Sequence, residues 1–332
     1  MPLESGLGAV LLVSLVLYAL SGGADFGGGM WDLLATGPRA RRQRAAIEHA
    51  IAPIWEANHV WLILVIVVLF TAFPPAFAAI MTALHIPMAA ILLGIVLRGS
   101  AFVFRRYDAP DDRVHRRWSV VFGVASLFTP FLLGLSLGAL ASGDIRVAAG
   151  GLATGFFAGW TSGFAIACGL FAQGLFAFLA ATYLTVDTDG EPDLQEDFRR
   201  RALGAAVSLA PAAAFTFLMA RRGAPIIYGG LTSWWAPGLL VVTSVCAVVA
   251  LWALWARRFR WARAAAVGQV ISILLGWAFA QFPHLVVPDV TLTSSAAGPA
   301  TLSLLSWALA VGAVVLFPSF GYLFRVFKRS PR

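Results

Sequence analysis

Apolar runs of some twenty to thirty residues follow one another along the whole chain, separated by short clusters of arginine, glycine, proline and acid. A crossing helix needs about 20 apolar residues. A window of that length picks out nine segments, near 7–34, 49–72, 76–104, 118–141, 151–183, 202–219, 236–256, 263–282 and 300–325. The predicted fold is therefore all-α and polytopic, one integral membrane domain over 1–332. Several segments exceed about 20 residues and must tilt, kink or protrude; glycines, Pro87 and Pro130 are the candidate kink sites. The first segment sits where a secretory leader would. It carries Glu4 in place of a basic stretch and runs on to about Leu34, so it reads as a retained helix.

Composition agrees with that pattern. Of 332 residues 60% are hydrophobic and 12% charged, half the roughly 25% charged residues of a soluble domain, and the mean hydropathy is +0.82. A soluble enzyme, a secreted disulfide scaffold and a disordered chain are excluded. Cys168 and Cys246 lie inside apolar runs and read as small core residues. The net charge of +8 would suit nucleic acid in a soluble protein, but here the cations lie in loops. With the N-terminus outside, 21 of the 24 basic residues fall on the cytoplasmic side and only Arg146, Arg221 and Arg222 outside. That asymmetry orients the chain with its C-terminus in the cytoplasm and no nucleic-acid partner. Trp118, Trp234 and Trp235 open or precede segments and suit anchoring at the headgroups. The acidic stretch from Asp187 to Asp197 reads as a solvated cytoplasmic connector.

Of 16 acids only Asp25 and Glu56 lie well inside apolar segments. A charge at mid-membrane costs roughly 2.5 to 3.5 kcal/mol on the translocon scale, so both demand a use. Counting 1.5 Å per residue from the inner ends of their segments puts Asp25 about 14 Å, Glu56 about 10 Å and Arg98 about 9 Å deep. The three share one half of the membrane. Asp25 admits two readings, a static ion pair with Arg98 or a proton carrier. One arginine cannot neutralise two carboxylates, so Glu56 is the stronger candidate for passing protons.

Around Glu56 the sequence is W-E-A-N-H-V-W. Helical spacing places Trp55, Asn58, His59 and Leu62 on one face. Gly23, Gly27 and Gly28 flank Asp25 and permit close helix contact, which would admit the third segment. His59 and His85 on adjacent segments raise the question of a bis-histidine haem. No ligand spacing supports one, polar helix contacts are the preferred reading, and no metal motif, nucleotide loop or Ser-His-Asp order is present.

Four stretches together resemble subunit II of the cytochrome bd family of terminal oxidases. They are G-A-D-F-G-G-G at 23–29, P-I-W-E-A-N-H-V-W followed by L-F-T-A-F-P over 53–74, I-V-L-R-G-S-A-F-V-F-R at 95–105, and A-Q-F-P-H-L-V-V-P at 280–288. The likeness covers most of the chain in order and spacing, with segments four to seven matching mainly in hydropathy.

The resemblance implies nine helices in two four-helix bundles plus a peripheral helix. It implies pairing with a subunit I that holds haem b, haem d and the quinol site, in a bacterial cytoplasmic membrane. No cofactor is then bound wholly by this chain. Whether a quinone sits here as a structural lipid, and whether a small accessory subunit joins, are left open. Residue by residue, Glu56 takes the place of the family acid implicated in proton transfer. Asp25 and Arg98 match residues implicated in supporting the haem region, with Trp55, Asn58 and Trp61 around them. Gly22 and Val103 stand where family members carry acids, which leaves the proton route below Glu56 unassigned. The alternative, from another class, is a proton-coupled secondary transporter whose glycine-interrupted first helix and buried acids form a substrate site.

Overall fold

A computed structural model describes residues 2–52, 54–107, 113–148 and 151–329, without the side chains of Glu56, Arg106, Tyr107, Arg113, His115 and 323–329. The described chain is helical apart from two short hairpins. In order it forms α1 (Leu3–Leu33), α2 (Ala40–Ile51), α3 (Trp55–Ala72), α4 (Pro74–Ala83), α5 (His85–Tyr107) and α6 (Arg113–Ser142). The strands β1 (Val147–Ala148) and β2 (Gly151–Leu152) lead into α7 (Gly163–Asp187), α8 (Pro192–Gly223), α9 (Pro225–Leu231), α10 (Ala236–Trp255) and α11 (Phe259–Gln281). Strands β3 (His284–Val286) and β4 (Val290–Thr291) precede α12 (Pro299–Arg329). Among the described residues eight helices are long and apolar enough to cross a membrane, and the bent pair α3–α4 is a further candidate.

Several boundaries differ from the hydropathy reading, each for a local reason. The segment expected at 49–72 is two helices. Only α3 is apolar, while α2 is amphipathic, burying Gln43, Ile47 and Ile51 and turning Arg41 and Arg42 outward. The chain leaves α2 just before Pro53, a residue with no amide hydrogen to continue a helical ladder. At the far end of α3, Phe73 takes φ −132° and Pro74 and Pro75 open α4, which turns by 118°. The third segment therefore begins at His85 instead of 76, and Pro87 lies in the first turn of α5, where a missing amide does no harm. Pro130 lies within α6, which continues through it. Residues 151–162, assigned to the fifth segment, form a strand and turns, because the helix starts only where Ser162 accepts the amide of Ala165 as its cap.

Helix α1 is central, packed by α3, α6 and α7, while α7 lies between α6 and α8 and α11 packs on α7. One apolar cluster joins α1, α7, α8, α10 and α11 around Phe26, Phe178, Leu179, Leu209, Leu254 and Val270. A second gathers Leu7, Val68, Phe73, Leu84, Leu135 and Val286 toward the hairpins. By contrast α12 exposes Leu304, Trp307, Val311 and Val314. Such a row is what a lipid-facing helix presents.

On the hairpin side Arg146 holds Asp289 by two hydrogen bonds, 2.8 and 3.0 Å, and the Val147 amide donates to the same carboxylate at 2.9 Å. The bond from Arg146, then that from the Val147 amide, hold the Asp289 carboxyl below the usual carboxylate range. A depressed acid contributes stability above its unfolded value and loses it as pH falls through the folded one. Asp289→Asn should therefore speed hydrogen exchange at the Val147 amide near pH 7. The difference from the parent should close only once pH has fallen below the ordinary carboxylate value of about 3.9; exchange in the variant that matches the parent at pH 7 would contradict it.

Candidate functional site

The site is built on the glycine-rich turn of α1. Side chains there are small enough for neighbours to come to backbone distance. A Cβ at Gly27 would fall on the Phe176 carbonyl of α7, and one at Gly29 on the Ser126 hydroxyl of α6. Gly23 meets Leu179 of α7, and Gly28 meets Ile47 and Ile51 of α2. The glycines thus admit α7, α6 and α2. They do not serve the approach of the third crossing helix, as the sequence reading had it; α5 reaches α1 through the length of its arginines.

Arg98 and Asp25 form an ion pair that is 2% and 0% exposed. Arg98 Nη2 donates to Asp25 Oδ1 at 2.6 Å and to the Asp25 carbonyl at 3.0 Å, and Nη1 donates to Oδ2 at 2.9 Å. Its Nε donates to Ser126 Oγ at 2.9 Å, which in turn donates to the Phe122 carbonyl. The guanidinium lies 4.8 Å from the ring centroids of both Phe26 and Phe122. A charge so enclosed is stable only because nearly every donor is used and two aromatic rings lie against it.

From α3, Asn58 completes the arrangement. Its amide donates to Asp25 Oδ2 at 3.4 Å, while Ser21 Oγ shares its one proton between Asn58 Oδ1 at 3.0 Å and the Leu17 carbonyl. Trp55 is half-buried against Phe102 and edge-on to His59, whose Nδ1 lies 2.6 Å from the Trp55 carbonyl. Trp61 stacks on Phe320 of α12. The side chain of Glu56 lies outside the described residues; its backbone is in the first turn of α3. Asn58 reaches Asp25 two residues farther on, so residue 56 sits within about 3 Å of that level along the axis. Its place is the break between α2 and α3, and not two turns up a continuous helix. The opening turn of a helix carries partial positive charge that favours a carboxylate.

A second pair escaped the sequence reading. Arg105 Nη1 and Nη2 each lie 3.1 Å from an Asp32 oxygen, and both residues are buried. Asp32 and Arg105 follow Asp25 and Arg98 by seven residues, two helical turns, so α1 and α5 run in the same direction with their pairs in register. Phe122 serves both, since Arg105 lies 5.1 Å from its centroid. The signal was legible as two matched intervals, D-x6-D and R-x6-R, but Asp32 and Arg105 fell near segment ends and were counted with the loops. Asp32→Asn should strand Arg105 and lower stability by about 3 kcal/mol, the low end for a broken buried pair. Adding Arg105→Gln should return part of it, as read from thermal unfolding; a double variant as unstable as the summed singles would contradict the pairing.

The acidic stretch that read as a solvated connector is an ion-paired hub. Asp197 takes two bonds from Arg39 and one from Gln43, Glu191 meets Arg42, Glu196 meets Arg257, and Asp187 meets Arg263. Each exposed pair is weak. Together they tie α2 and the α10–α11 turn to the end of α7 and the start of α8.

The described histidines do not converge on a haem. His59 lies a turn into α3, while His85 opens α5 beside Phe156, and α3 alone carries the chain about 20 Å between them. Among the described residues no three histidines, cysteines or acids gather as metal ligands.

The fold and site define a multi-pass helical membrane protein with paired charges buried between its crossing helices. The family model described as cytochrome bd terminal oxidase subunit II matches residues 3–327, and the chain belongs to that family. Among its relatives, the putative cytochrome bd menaquinol oxidase subunit II of Bacillus subtilis (strain 168) is 27% identical over 99% of this chain and 98% of its own length. The cytochrome bd-I ubiquinol oxidase subunit 2 of Escherichia coli (strain K12) is 29% identical over 66% of this chain and 56% of its own. A chain from the structure of bd oxidase from Geobacillus thermodenitrificans shares the fold. Its TM-score is 0.83 at 23% identity, covering 98% of this chain and 99% of that one.

Proposed function

We propose that this chain is the haem-free subunit of a bd-type oxidase, supporting quinol oxidation coupled to reduction of oxygen to water in a bacterial cytoplasmic membrane. The observation that carries the reading is the buried Asp25–Arg98 pair in a chain matched by the family model from end to end. Haems b and d in a partner subunit I supply the electron transfer and oxygen chemistry. This chain's residues hold the neighbouring helices and move protons. Asp25, Arg98, Asn58, Trp55 and Trp61 fix α1, α3 and α5 relative to one another, and Glu56 at the α2–α3 break relays cytoplasmic protons. Counting α3–α4 as one crossing gives nine, two four-helix bundles with α12 peripheral, and termini on opposite sides. Membranes lacking the chain should lose a component of quinol-driven oxygen uptake that the returned chain restores; uptake indifferent to its presence would contradict the reading.

The orientation carries its own test. An impermeant thiol reagent applied to whole cells should label a cysteine at Gly229, where nothing lies within 4 Å of an added Cβ, and spare one at Asp193, exposed at the start of α8. Gly190 is not used because its φ of +90° would strain a cysteine. The reverse labelling would invert the topology.

A further inference from the structure

The hairpin of α10 and α11 ends in a turn where Arg257 adopts φ +57°. The turn displays four arginines within seven residues, Arg257, Arg258, Arg260 and Arg263. Two meet acids of the hub, Arg257 the Glu196 carboxylate that Arg199 and Arg200 also share, and Arg263 Asp187. Arg258 and Arg260 are exposed and, among the described residues, their side chains have no hydrogen-bond or ion-pair partner. Beside them opens a groove of about 650 Å³ lined by Val249, Trp252, Ala256, Arg258 and Trp261. Trp252 is 55% and Trp261 66% exposed. The far end of the same hairpin has a groove of about 290 Å³, lined by Trp235, Leu239 and Phe279 and no cation.

We propose that the arginine end of the α10–α11 hairpin is a binding site for one acidic phospholipid. Its phosphodiester pairs with Arg258, with Arg260 adding charge, and an acyl chain lies along Trp252 and Val249. The groove falls within the roughly 300–1,000 Å³ of small-molecule sites. Its indole rings stand where a crossing helix ends, the depth at which tryptophan sits among headgroups. A guanidinium matches a phosphate by two parallel bonds. A zwitterionic lipid would bring its ammonium toward Arg260 and be disfavoured, so the surplus of two unpaired cations selects net negative headgroups. The hub pairs Arg257 and Arg263 and leaves the Arg258 and Arg260 side chains without an acid.

The test is native mass spectrometry of the complex isolated through this chain and exchanged into phosphatidylglycerol or phosphatidylcholine. The parent should retain one phosphatidylglycerol in preference to phosphatidylcholine. Arg258→Gln should weaken retention about fivefold and Arg258→Gln with Arg260→Gln about twentyfold, from the effect of single cations near an acidic surface. Trp261→Ala should weaken it without altering charge, and Trp235→Ala at the far end should change nothing. Equal retention of the two lipids, or retention untouched by the arginine and Trp261 variants, would overturn the proposal. Release of the lipid by millimolar inorganic phosphate would make the site one for a bare anion and overturn it equally.

Discussion

Asp25→Asn is expected to lower both haem content and recovery of the complex, and Arg98→Leu to do the same. Each leaves one member of a fully enclosed pair without its partner, at a cost of about 3 to 5 kcal/mol. Arg98 is the more exacting of the two because four donated bonds and two aromatic contacts converge on it. Leucine there frees Ser126 and Asp25 at once. The double substitution removes both charges and should be milder than the two effects combined, with a coupling of at least 1 kcal/mol in a double-mutant cycle. Simple additivity in unfolding midpoints would mean that the pair does not exist, and Asp25 would return to the proton-carrying candidates.

Glu56→Gln is expected to leave the complex assembled with normal haem content while slowing oxygen consumption by about 100-fold, the low end of what a positioned proton-transfer group contributes. Glutamine keeps the volume and loses the titrating proton. Glu56→Asp should retain most activity, since it keeps the carboxyl and gives up one methylene of reach. The contrast with Asp25→Asn is the informative part: one variant assembles and turns over slowly, the other assembles poorly. Full turnover in Glu56→Gln would remove the relay role.

How much of this was visible in the sequence depends on which interaction decided each feature. Crossing helices are dictated by long apolar runs, and α1, α10, α11 and the helical part of α7 lie where hydropathy put them. Hydropathy is blind to where a helix stops inside an apolar run, so the α2–α3 break, the α4–α5 junction at Leu84 and the hairpin before α7 were merged into longer segments. Asp25 and Arg98 stood out because isolated charges in apolar runs are rare. Asp32 and Arg105 did not, because proximity to a loop disguised them and only tertiary packing buries them. Ser126 is invisible in principle, since a serine bonded to its own helix looks like any other until an arginine from α5 arrives. The glycines were recognised as contact residues but given the wrong neighbour; small side chains announce that something comes close, not which helix.

The central claim, that this chain belongs to a working haem-bearing oxidase, is tested most directly by isolating it through an affinity tag in mild detergent and recording the reduced-minus-oxidised difference spectrum. The account predicts a second membrane chain in equal amount and visible haem bands that respond to added quinol and to oxygen. A colourless chain isolated alone under conditions that preserve membrane complexes would contradict it and return the buried acids to a transporter's substrate site.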